Sequence, residues 1–162
     1  MKRLLITCML FAGISNVFAQ SYCTIKKVHA YYNVTMPGMQ MTDDNGNPIP
    51  VLPNITRFIY VEYAGSKMPE IKTVLYNNEA LLFTVLGIKE KTVSIGDKNL
   101  NPNNTITAKK GNSFLKIDLN PPDGKTAADI DCKNIIIKYR SAGKICKSNL
   151  TLEKRFNTVP RY

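Results

Sequence analysis

No stretch between Gln20 and Tyr162 repeats apolar residues at the three- and four-residue spacing of an amphipathic helix. What recurs is a short run of β-branched and aromatic residues, closed each time by Asn, Gly, Pro or Asp. The runs occupy residues 23–34, 57–63, 71–76, 80–88, 92–95, 105–108, 113–119, 134–140 and 144–152. Such a chain can bury its apolar surface only by pairing strands.

Period-2 alternation supports this reading. Leu115, Ile117 and Leu119 share one face of their run. Ile135, Ile137 and Tyr139 share another, with Lys138 and Arg140 opposite. Three turns predict hairpins. Asn77-Asn78-Glu79 joins 71–76 to 80–88, because Asn tolerates the positive φ of a tight turn. Lys109-Lys110-Gly111-Asn112 joins 105–108 to 113–119, and Ser141-Ala142-Gly143 joins 134–140 to 144–152. The run 92–95 continues the meander after Lys89-Glu90-Lys91. Short strands at regular spacing predict one all-β domain: a single antiparallel β-sandwich, Ig-like or related, of about eight or nine strands. Its long loop, 35–54, holds Pro37, Pro48, Pro50 and Pro53, and its Asp44-Asn45-Gly46-Asn47 marks a small hairpin.

The N-terminus reads as an export address. Lys2 and Arg3 precede the apolar run Leu4 to Ile14, and Val17-Phe18-Ala19 forms a small-x-small cleavage box. Cleavage between Ala19 and Gln20 divides the chain into a secretory signal peptide, 1–19, and a single domain, 20–162. The apolar run is far shorter than the roughly 20 residues a bilayer span needs, and no transmembrane span remains once the signal is removed. The expected location is the periplasm or the exterior. The formal charge of +10 falls to +8 with the loss of Lys2 and Arg3.

Cleavage also removes Cys8, leaving Cys23, Cys132 and Cys146. Export favours a disulfide, and an odd count leaves one thiol outside it. A two-residue turn at Ala142-Gly143 sets Cys146 opposite Tyr139 and Cys132 opposite Glu153. The two cysteines are then seven residues out of register, roughly 23 Å apart at about 3.3 Å per residue. A disulfide needs Cα atoms within about 7 Å. The expected bridge therefore joins Cys23 to either Cys132 or Cys146.

Catalytic machinery is sparse. His29 is the only histidine, and it alternates with Lys27 and Tyr31 in a strand. There is no Gly-x-Ser-x-Gly elbow, no His-Glu-x-x-His and no phosphate loop. Asp43-Asp44 and Asp129/Asp131 lack the further oxygen donors of a calcium loop. The expectation is a non-enzyme without a cofactor.

Two features suggest binding. Lysines cluster as Lys26-Lys27, Lys89/Lys91, Lys109-Lys110 and Lys144/Lys147/Lys154, and positive charge attracts anionic partners. Their excess over arginine favours a solvated, edge-protecting role, and export sets nucleic acid aside. The second feature is Met36-Pro37-Gly38-Met39-Gln40-Met41, three soft thioethers that suit Cu(I). The Met-x-x-Met-x-Met spacing resembles the methionine loops of periplasmic copper-handling β-sandwich proteins of the CopC-like type. That resemblance covers six residues and implies Met36, Met39 and Met41 as copper ligands. The principal expectation is an exported binding or accessory module of the cell envelope, with a protein or glycan partner. A periplasmic copper-binding protein is the alternative.

Overall fold

The computed structural model describes residues 23–35, 42–49, 54–95, 104–121 and 132–156. The cleavage site at Ala19 and Gln20 and the three methionines Met36, Met39 and Met41 lie outside the described residues. Ten strands are present among those described: β1 (Ile25–Thr35), β2 (Asn54–Ala64), β3 (Glu70–Tyr76), β4 (Glu79–Ile88), β5 (Thr92–Ser94), β6 (Thr105–Thr107), β7 (Asn112–Asn120), β8 (Ile135–Ser141), β9 (Lys144–Leu150) and β10 (Lys154–Arg155). Eight form one sheet in the order β10-β1-β2-β7-β4-β3-β8-β9, and β5 and β6 form a second, small sheet. No helix of the described residues is long and apolar enough to cross a membrane.

Two hairpins fall where turn chemistry put them. Asn77 and Asn78 both take positive φ, 48° and 71°, between β3 and β4. Ala142 and Gly143 do the same at 48° and 79°, joining β8 to β9. Positive φ at both central residues matches the right-handed twist of the flanking strands. The second turn sets Ile135 opposite Leu150 and Tyr139 opposite Cys146, the register its length demands. In the long loop, the Asp43 carboxylate accepts the Asn45 and Asn47 backbone N–H groups at 3.0 and 2.8 Å. Gly46 turns at a φ of 80°, and Thr42 bridges Pro48.

Other expectations need correction. β6 and β7 do not form a hairpin with each other: β6 pairs with β5, whereas β7 lies between β2 and β4. The run 92–95 accordingly leaves the meander for the small sheet. The eight-stranded sheet is mixed rather than wholly antiparallel, because β10 runs parallel to β1. These pairings are non-local, and no turn signal encodes them.

Burial explains the composition of β2. Arg57 to Tyr63 are all buried. Inward-facing Ile59 and Val61 join Val74 of β3, Leu81 of β4, Leu115 and Ile117 of β7, and Ile135, Ile137 and Tyr139 of β8. Full burial of each aliphatic side chain stabilises by about 1.5–3 kcal/mol. The outer face of β1 and β2 carries a second cluster: Tyr31, Phe58 and Tyr60, packed with Val93 and Ile106 of the small sheet, with Ile95 just after β5 and with Phe156. A strand covered on both faces shows a near-continuous apolar run instead of clean alternation.

The large sheet curls because β4 changes partner along its length. Glu79 to Leu81 pair with β3, and Leu82 to Ile88 pair with β7. The curl brings β1 against β9. There a disulfide ties Cys23, just ahead of β1, to Cys146 of β9, with Cα atoms 5.7 Å apart. Cys132 stays a thiol, packed at the margin of the inner core.

Candidate functional site

The strand registers define two ends of the curled sheet. Ile25 pairs with Tyr63, Ala64 with Asn112, Ile88 with Phe114, and Glu70 with Arg140. The start of β1 and the turns 65–69, 89–91, 109–111 and 142–143 therefore share one end. Thr24 Oγ1 and Ser141 Oγ, 3.2 Å apart, close it across the disulfide.

This end collects eight of the lysines that lie scattered in the sequence, whereas Lys147 and Lys154 of the sequence clusters lie away from it. Lys26, Lys27, Lys67, Lys89, Lys91, Lys109, Lys110 and Lys144 are all exposed on it. Among the described residues its carboxylates are fewer. Glu90 stands exposed between Lys89 and Lys91, and the other two are engaged in structure. Glu62 is buried and accepts the Lys109 backbone N–H at 2.9 Å and Asn112 Nδ2 at 2.5 Å, which holds the 109–112 turn on β2. Burial pushes the Glu62 carboxyl up, but the hydrogen bonds from Asn112 and Lys109 and the charges of Lys27 and Lys109 outweigh it. Glu62 is thereby held below the usual carboxylate range. Glu70 pairs with Lys72 and lies 3.9 Å from Arg140. Lys91 donates to the Asn112 carbonyl and to Ser113 Oγ, the latter at 3.1 Å. The result is a solvent-facing lysine pole carried on the turns of this end.

The opposite end is built from buried charge. Arg57 and Glu153 form an ion pair with side chains 8% and 7% exposed. The Arg57 guanidinium lies 5.8 Å from the Tyr32 ring and 5.9 Å from the Tyr76 ring. Tyr76 Oη donates to Glu153 Oε2 at 3.4 Å. Burial, with Cys132 close by, pushes the Tyr76 phenol far above its ordinary value, against the pull of Arg57. Asn77 Oδ1 accepts the backbone N–H groups of Lys133 and Asn134, both at 3.0 Å. These groups partner one another and tie this end together, while Glu79, Lys133 and Arg155 stand exposed around them.

His29 lies on the outer face of β1, opposite Tyr60. Burial and then Lys27 lower its pKa, against the pull of Glu62. Cys132 packs on the inner core, so the sheet stands between thiol and imidazole. Among the described residues no group of three His, Cys, Asp or Glu side chains could hold a metal ion.

No protein-family model, curated protein or solved structure matches this chain. Its functional reading rests on its own geometry. The lysine pole was not legible as a site because its members are up to 118 residues apart, Lys26 to Lys144. One signal was present: most of these lysines flank a turn, and alternate turns of an up-and-down chain fall at the same end.

Proposed function

We propose that this chain is an exported, non-catalytic binding module of the cell envelope, its curled sheet a sandwich folded at β4. The pole of exposed lysines receives an anionic protein or glycan surface. The observation that supports this is the convergence of lysines from five separate chain segments on one end, where Glu62 and Glu70 are tied into structure. Fields from such a patch steer acidic partners and weaken with salt. Lysine offers a mobile point charge rather than a bidentate fork, which suits a diffuse acidic surface.

Crosslinking in the native envelope, followed by isolation of the tagged chain, tests this reading without presuming the partner. The partner is expected to carry an acidic surface, and its capture is expected to fall on changing Lys89, Lys109 and Lys110 to Gln. Capture unaffected by those three changes, or by raised salt, would sink the proposal.

A further inference from the structure

Beyond that reading, there is a strand edge that the described residues leave unpaired and undefended. Leu82 to Ile88 of β4 pair with β7 on one side. On the other side β3 has separated: it pairs with β4 only from Val74 to Tyr76, and its earlier residues pair with β8. Among the described residues nothing pairs with this side of 82–88. Exposed strand edges template association, and proteins blunt them with Lys, Pro or bulges. The chain follows that rule at β9, which carries Lys144 and Lys147. It does not follow it here. Leu82-Phe83-Thr84-Val85-Leu86-Gly87-Ile88 has no charge and no proline. Leu82 and Leu86 are 59% and 49% exposed on the face that Thr84 shares.

The segment is self-complementary about Thr84. We infer that it pairs antiparallel with β4 of a second copy, Thr84 opposite Thr84, across a two-fold axis. Leu82 then meets Leu86 of the other copy on the same face, twice by symmetry. Five residues, Leu82 to Leu86, pair before β3 intervenes at Leu81. The flanks agree in charge: exposed Glu79 and Lys89 lie equally far from Thr84, so antiparallel packing turns the basic end of each strand toward the acidic end of the other. A parallel arrangement would set like charges together. Because the axis reverses the strand, the two lysine poles point in opposite directions.

The test uses the mature, oxidised chain. Light scattering across a concentration series is expected to show a dimer. Leu86→Lys sets a charge against Leu82 of the other copy and is expected to weaken the dimer on the order of tenfold or more. Ile145→Lys, at an exposed position elsewhere, is expected to leave it intact. Directly opposed residues lie about 4.5–5.5 Å apart at Cα, within disulfide range. Thr84→Cys in a Cys132→Ser background should therefore give a covalent dimer with diamide, and Ile145→Cys in that background should not. A monomer throughout the series, or a dimer indifferent to Leu86→Lys and not crosslinked through Thr84→Cys, would overturn the inference. A monomer whose 82–88 amides resist exchange, or one that pairs this edge only with a different protein, would also overturn it.

Discussion

At the Arg57 end of the sheet, the central charges, Arg57 and Glu153, are buried and matched. At the turn end charges are many, exposed and mostly of one sign. The difference follows from solvation. A buried ion without its counter-ion costs several kcal/mol, so Arg57 persists only with Glu153 and the rings of Tyr32 and Tyr76 around it. An exposed lysine keeps its water and costs the fold little, so one end can accumulate them. The first end contributes cohesion, and the second faces solvent.

The largest expected effect breaks the buried end. Arg57→Met leaves the Glu153 carboxylate buried and unmatched, and should lower unfolding free energy in urea by about 3–5 kcal/mol. A loss under about 1 kcal/mol would mean that this end is solvated like the other. Next, replacing Cys23 and Cys146 together by Ser should cost about 2–5 kcal/mol, since the bridge closes a long loop. Cys132→Ser should cost far less, and the reverse ranking would contradict the pairing.

A pH titration sharpens the contrast. The folded pKa of His29 lies below its ordinary value, so above that value imidazole is neutral in both states. As pH falls through 6.5, the unfolded chain takes the proton first, and stability declines until the folded pKa is also passed. His29→Gln should remove that slope in denaturation curves measured from pH 7.5 down to about 5. At the turn end, Ala142 holds a positive φ that an L side chain resists. Ala142→Asn should raise the melting temperature, with a gain of about 0.5–1 kcal/mol. Smallest of all, Lys89, Lys109 and Lys110 to Gln should each change stability by less than about 0.5 kcal/mol. A larger loss would make the pole structural.

Much of the fold was legible locally. Alternation placed Leu115, Ile117, Leu119, Ile135, Ile137 and Tyr139 in the core, and all are buried. The Ala142-Gly143 turn fixed the β8–β9 register and so excluded a Cys132–Cys146 bridge. The hairpin expected at 105–119 fails because Thr105 to Thr107 find their partners in β5, across a loop rather than a turn. Arg57 gave no sign of burial, because its partner lies 96 residues away at Glu153. The lysines were read as solvated, and they are, but their gathering at one end was invisible.

By itself the sequence determined the strands, the tight turns, the faces of several strands and the choice of Cys23 as one half of a disulfide. Those features depend on φ preferences and on a two-residue period, which act within a few positions. Tertiary structure decided which strands lie side by side, that β4 divides itself between β3 and β7, and that Cys146 rather than Cys132 meets Cys23. Cys146 lies on β9 near the start of β1, whereas Cys132 lies at the far end beside Tyr76. Such choices depend on apolar burial and sheet twist summed over residues distant in the chain, and no local pattern carries that sum.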